Sequence, residues 1–292
     1  MKLLKQLFTF LNINRQFILQ PVNIHQKNPS LLEHLFKPSL KVHSLPPLPP
    51  TPDKNKIKNI LELIRVNHIP STLFLCFSGA LITSPSLPNL LEPSFIQPFF
   101  IQPFFIQPTF VVATLDTILL MSASMVINDI YDIETDKINK PQRPIVSGAI
   151  TKTEAISIAV FLLGSSEYLS INFLAENLQY IIHLAILYVN LYTPIFKKIL
   201  IIKNMSCALI VSFSLFFTAL ACSEYPLIVN PNLDLLIVAC NLVFTGSWSN
   251  EILLDIRDYK GDKEENIQTL PIVFGKENAW TCSLVVLSTG LA

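Results

Sequence analysis

Residues 128–136 read Asn128-Asp129-Ile130-Tyr131-Asp132-Ile133-Glu134-Thr135-Asp136, an acid-rich stretch that follows directly on an apolar run. Asp129, Asp132 and Asp136 are spaced by three and then four residues, so at about 100° per residue they fall within roughly 60° on one helical face. Asp255, Asp258 and Asp262 repeat the spacing. Three carboxylates on one face repel one another unless a cation lies between them, so each cluster is a candidate hard-metal site supplied by one helix end. Acids are also common in the solvated turn beyond a membrane helix; that reading explains one cluster, but not the repetition.

Composition says where the clusters sit. Of 292 residues, 51% are hydrophobic and 14% charged, with mean hydropathy +0.48, a balance that points to a membrane protein and away from a soluble globule. The formal net charge of zero gives no support to nucleic-acid binding. The five cysteines form no CxxC pair and mostly lie inside apolar runs, as packing residues do.

Residues 1–57 form a separate region. It opens MKLLKQLFTFLNINRQF, has no acid before Glu33, and ends in the Pro-rich linker Ser44-Leu-Pro-Pro-Leu-Pro-Pro-Thr-Pro52. A basic, acid-free start reads as an organelle transit segment or, alternatively, an interfacial amphipathic helix. Residues 58–292 then form the membrane domain, with spans expected near 66–84, 109–128, 153–169, 179–194, 205–222, 233–253 and 277–292, several of them short for a 30 Å core. Lys and Arg beyond residue 60 fall in alternate loops or at their rims, which places both Asp clusters on the same, positive side of the membrane. One opposite-side loop repeats Phe-Ile-Gln-Pro at 95–108, incompatible with a regular helix and read as tolerated sequence expansion. The chain ends inside the apolar WTCSLVVLSTGLA, so the last span is expected to be short and the product C-terminally truncated.

These motifs resemble the UbiA superfamily of intramembrane prenyltransferases. Asn128, Asp129, Asp132 and Asp136 match its first motif, NDxxDxxxD, and Arg143-Pro144 in KINKPQRPIVSG match its RP position. Asp258 and Asp262 match the second motif, DxxxD, with Asp255 and Lys263 at family positions. Tyr192 to Lys197, followed by Asn204, resembles the Tyr-to-Lys element, and Arg65 with Asn67 the polar pair of the first helix. The resemblance implies an all-α, multi-pass helix bundle around a cavity, with about seven of the usual nine helices present.

It also implies Mg2+-dependent transfer from a polyprenyl diphosphate. Asp129, Asp132, Asp136, Asp258 and Asp262 would hold metal; Lys197 would join Asp129, Asp132, Asp258 and Asp262 in catalysis. Asn128, Asp136, Arg143, Asp255, Lys263, Tyr192 and Asn204 would bind the diphosphate and its ions. Tyr188 and Tyr192 are candidates to face the allylic cation. His183, the histidine inside a predicted span, is read as structural, with an acceptor-side role as the alternative. The expected acceptor is an aromatic quinone or tocopherol precursor, with chlorophyllide or a glyceryl phosphate as alternatives. The wider alternatives are a cation-coupled transporter and an inactive scaffold. The transit-like start leads to an expected plastid membrane, or else the mitochondrial inner membrane, with the Asp motifs facing stroma or matrix.

Overall fold

A computed structural model describes residues 56–84, 107–264 and 267–291 of the protein. All belong to the unit Pro50–Ala292. The transit-like segment, the Pro-rich linker and nearly all of the Phe-Ile-Gln-Pro repeat lie outside the described residues.

The described chain is helical throughout, with helices α1 (Lys56–Leu63), α2 (Ile69–Ile82), α3 (Pro108–Tyr131), α4 (Ile133–Asn139), α5 (Lys152–Phe173), α6 (Glu176–Tyr192), α7 (Leu200–Cys222), α8 (Leu233–Glu264), α9 (Leu270–Phe274) and α10 (Lys276–Thr289). Four of these, α3, α5, α7 and α8, are long and apolar enough to cross a membrane. Taken together, α1 and Val66–Ile82 are also long and apolar enough, but they are bent by 48° at the break between them, the geometry of a broken span or a re-entrant loop. The 17 residues of α6 and 14 of α10 are shorter; at 1.5 Å per residue they reach about 26 Å and 21 Å against a core of about 30 Å.

Start signals are local. Pro108, the last residue of the repeat, opens α3 at its first turn, where a missing N–H costs nothing. Thr151 and Glu154 form a reciprocal capping box at the start of α5, each side chain accepting from the other's backbone N–H (3.2 and 2.9 Å). Gly275, at φ 83°, ends α9 and begins α10 in a conformation that needs no Cβ.

The central helix is α3, whose apolar window is 61% buried against 22% for α5 and for α8. One flank packs Ala123, Val126 and Ile127 against Ala155, Ala159 and Leu162 of α5. The other packs Val112, Ala113 and Leu120 against Leu178 and Ile182 of α6 and Phe217 of α7. Outward faces of α5, α6 and α8 leave Val160, Phe161, Leu184, Leu187, Ile237 and Val238 exposed, an apolar surface suited to lipid. Small residues bring α2 against α7: a Cβ on Gly79 would lie 2.0 Å from the Leu215 carbonyl oxygen. There Thr218 donates to the Cys76 carbonyl at 2.9 Å and Thr83 to that of Ala219 at 3.0 Å, the close approach that membrane helices favour.

Two local expectations change. The first Asp cluster does not lie on one helix: α3 ends at Tyr131, Asp132 leaves helical geometry (φ −92°, ψ 12°), and Asp136 belongs to α4. The physical reason is that Asp132 is drawn to Asn128 and Lys197 while Asp129 is drawn to Arg65 and Arg143, so the acids part company instead of stacking. The second cluster does lie on one helix, because α8 continues well past the expected end near 253 to Glu264.

Candidate active site

Both Asp motifs meet at one end of the bundle, around a cavity of about 200 Å³. Asp132 and Asp136 come to it from the α3–α4 break and α4; Asp255, Asp258 and Asp262 come from the last three turns of α8. The Asn139 side chain joins the two halves. Its amide nitrogen donates to the Asp258 carbonyl at 3.1 Å and its oxygen accepts from the Gly261 N–H at 3.0 Å. Gly261 is the residue that allows this, since a Cβ there would meet the Asn139 amide at 2.4 Å. Beside it, Lys140 pairs with Asp258 at 2.7 Å.

Each acid of the two Asp motifs but one has a cation. Asp129, 4% exposed, sits behind the cavity wall between Arg65 (2.6 Å) and Arg143 (2.7 Å). Arg143 also pairs with Asp136. Burial pushes the Asp136 carboxyl above its ordinary pKa, and Arg143 and Lys140 pull it back. Lys197, from the turn after α6, pairs with Asp132 and donates to Asn128 Oδ1 at 2.9 Å. Lys203 and Asn204, one turn into α7, hold Asp255 at 2.5 and 2.9 Å. Asp262 is the exception: it is buried, has no ion pair among the described residues, and its Oδ2 has no hydrogen-bond partner. Arg65 is held in the left-handed region (φ 53°, ψ 55°) at the bend between α1 and α2. For a residue with a Cβ this costs roughly 1–2 kcal/mol, which its buried ion pair with Asp129 offsets.

The remaining candidates are placed as follows. Tyr192 lines the cavity, its hydroxyl 2.9 Å from Cys207 Sγ. Lys263 is on the exposed side of α8, 5.9 Å from the Tyr259 ring centroid, and does not reach the cavity. Tyr188 meets the Phe196 ring at a tilt of 34°, centroids 5.2 Å apart, outside the wall, and Asn67 is exposed away from it. His183 bonds Glu167 at 2.6 Å between α6 and α5, away from the cavity. Asn139, Lys140, Lys203 and Glu251 of the site went unmarked in sequence reasoning. A lysine one turn inside the apolar run ILIIKNMS, and a glutamate one turn before Asp255, were the available signals.

Among the described residues no three His, Cys, Asp or Glu side chains converge as a ready-made metal cage. The donor set nevertheless fits a hard divalent cation: it is all oxygen, and Asp262, with a buried and unpartnered Oδ2, lines the cavity together with Asp132, Asp136 and Asp258.

Comparison with known proteins places these features. The profile of the UbiA prenyltransferase family matches residues 72–292. Digeranylgeranylglyceryl phosphate synthase of Saccharolobus solfataricus is 28% identical over 234 residues, 79% of this chain and 74% of that protein. The enzyme of the same name from Methanocaldococcus jannaschii is 31% identical over 232 residues, 80% of this chain and 73% of that protein. A solved structure of digeranylgeranylglyceryl phosphate synthase matches with TM-score 0.57 at 27% identity, covering 80% of this chain and 75% of that one. A UbiA homolog from Archaeoglobus fulgidus bound to DMAPP and Mg2+ shares the fold, with TM-score 0.54 at 20% identity over 80% and 75% of the two chains.

Two expectations are corrected by these matches. The quinone or tocopherol acceptor does not stand, because the matched relatives are named for a glyceryl phosphate product. The motif wording yields an expectation drawn from resemblance and carries no independent acceptor information. The plastid or mitochondrial location does not stand either, the relatives being archaeal. A basic, acid-poor stretch is also what the positive side of any membrane protein carries, so its composition does not identify a transit segment.

Proposed function

The chain belongs to the UbiA prenyltransferase family, and from that premise we propose that it transfers a prenyl group from a prenyl diphosphate to a hydroxyl of a glyceryl phosphate lipid. The observation that carries this reading is the cavity itself, where two Asp motifs and six Lys or Arg side chains (Arg65, Lys140, Arg143, Lys197, Lys203 and Arg257) line a space that also has an apolar wall of Met121, Ile210, Val211 and Leu254. A diphosphate is a polyanion on a lipid-soluble tail, and the wall is graded from charge to hydrocarbon in the same way. The names of the relatives supply the acceptor class.

Asp132, Asp136, Asp258 and Asp262 would hold Mg2+, with Asp129 behind them setting the two arginines. When bound, the ion supplies Lewis-acid neutralisation of the charge that grows on the departing diphosphate. Lys197, Arg143 and Lys140 orient the diphosphate oxygens and share that charge through fixed N–H donors, a contribution larger here than in water because the wall is buried. Asn128 holds Lys197 in place and so sets where the ammonium points. Met121 and Leu254 keep water from the prenyl carbon after its bond to oxygen loosens. Acids that lie at helix ends on one membrane face suit headgroup chemistry; a cation-coupled transporter would carry them near midplane.

The test is transfer by purified protein in lipid, with labelled geranylgeranyl diphosphate and two acceptors offered in parallel: geranylgeranylglyceryl phosphate and an aromatic quinone precursor. Labelled ether lipid is expected from the first, lost on chelation and restored by Mg2+. Product from the aromatic acceptor alone would overturn the reading.

A further inference from the structure

Six carboxylates line the cavity: Asp132, Asp136, Glu251, Asp255, Asp258 and Asp262. Four are ion-paired, with Lys197, Arg143, Lys203 and Lys140 respectively for Asp132, Asp136, Asp255 and Asp258. Asp262 stands at the mouth with the second motif. Glu251 is different: it has no ion pair among the described residues, and it lies one helical turn before Asp255 on α8, about 6 Å deeper toward the apolar end at 1.5 Å per residue. An acid at that depth is costly to keep without a counter-charge in contact. The Cys207 thiol, which also contacts the Tyr192 hydroxyl, is its hydrogen-bonding neighbour, and Lys203, Asp255 and Arg65 act on it through their charges.

The proposed reaction needs something in this position. An alcohol that becomes an ether must give up its proton, and the other acids of the wall are committed: Asp255 to Lys203 and Asn204, the motif acids to the diphosphate end. A phenol such as Tyr192, its hydroxyl engaged with Cys207, is no base. We propose that Glu251 is the proton acceptor for the acceptor hydroxyl, an inference that rests on the reading of the acceptor as a glyceryl phosphate lipid. In that step the C1–oxygen bond of the prenyl diphosphate breaks and its electron pair leaves with the diphosphate. The acceptor oxygen forms the new bond to C1, and its proton passes to a Glu251 carboxylate oxygen, later to be released to water. No oxidant or further reactant is needed. The same placement puts the acceptor's reacting hydroxyl between α7 and α8, on the Tyr192–Cys207 side of the cavity.

Glu251→Gln decides the matter, because it keeps shape and hydrogen bonding to Cys207 but accepts no proton. In lipid-reconstituted protein with Mg2+, ether formation from geranylgeranyl diphosphate should fall about 100-fold or more in kcat. The KM for the glyceryl phosphate acceptor, and the Kd for geranylgeranyl S-thiolodiphosphate, which does not ionise readily, should stay within about twofold of wild type by the same argument, since neither reports proton transfer. Formate should partly restore turnover to Glu251→Ala. Wild-type turnover in Glu251→Gln, or parallel loss of thiolodiphosphate binding in a folded variant, would overturn the assignment. If Glu251→Gln does not fold, formate rescue of Glu251→Ala decides it: rescue supports the base and its absence overturns it. A wild-type protein that fails with the glyceryl phosphate acceptor sinks the functional reading itself, a result distinct from an active wild type matched by its Gln variant.

Discussion

Asp129 and Asp262 both belong to Asp motifs, yet their surroundings assign them opposite sensitivities. Asp129 is buried between Arg65 and Arg143 at 2.6 and 2.7 Å, so Asp129→Ala leaves two guanidinium groups facing each other without their shared counter-ion. Breaking a buried pair in this way costs about 3–5 kcal/mol, and the variant should lose detergent melting temperature along with activity. Among the described residues Asp262 has no ion pair and an unpartnered Oδ2. Asp262→Asn should therefore melt like the wild type, or slightly higher, while the Mg2+ concentration for half-maximal transfer rises at least about tenfold, the loss of one charged ligand. Melting of both variants with an Mg2+ titration checks the contrast. Equal destabilisation by the two would show that the ion-pair map does not separate holding the fold from holding the ligand.

At the scale of the element, glycine is required in α2 and spare in α5. A Cβ on Gly79 runs into the Leu215 backbone oxygen at 2.0 Å, and a carbonyl inside a helix cannot move aside as a side chain does. Gly79→Val should separate α2 from α7 and cost about 1–3 kcal/mol as an overpacking change. Among the described residues nothing lies within 4 Å of a Cβ at Gly164. There Gly164→Ala should be neutral or stabilise by up to about 1 kcal/mol through helix propensity. Thermal unfolding in one detergent compares them, and a Gly79→Val protein as stable as Gly164→Ala would mean that the α2–α7 contact is not close in solution. The α3–α4 break belongs to this scale too. Helical spacing puts Asp129, Asp132 and Asp136 on one face, but the structure breaks the helix after Tyr131, sending Asp132 to Lys197 while Asp129 and Asp136 share Arg143.

For the whole molecule, the two halves of the site are tied on the polar side by few bonds, chiefly Asn139 to α8 and Lys140 to Asp258. A ligand that engages acids from both halves adds its binding free energy to the folded state alone. Mg2+ together with geranylgeranyl S-thiolodiphosphate at about 100 times its Kd should therefore stabilise the protein by about 2.7 kcal/mol, seen as a rise in melting temperature that chelator abolishes. An identical rise with the thiolodiphosphate in chelator would show that the motif acids bind the head without a metal.

The pattern along the chain determined the class of this protein and the ends of its helices that matter: apolar runs long enough to cross lipid, positive charge in alternate loops, and two acid triplets at matching ends. Those properties are additive over neighbouring residues, so one sequence suffices to read them. It also carried the family resemblance, because Asn128, Asp132, Asp258, Asp262 and Arg143 are all local matches. Tertiary structure decided the rest: that Asp129 is sealed behind the wall, that Lys263, Tyr188 and His183 stand away from the cavity, and that Lys203, Asn139 and Glu251 belong to it. Those outcomes depend on which residues of separate helices face one another, 65 positions apart for Lys197 and Asp132 and 52 for Lys203 and Asp255. Spacing within one helix specifies a face; what that face meets is set by packing between helices, and with it whether a carboxylate is a structural ion pair, a metal ligand or a base.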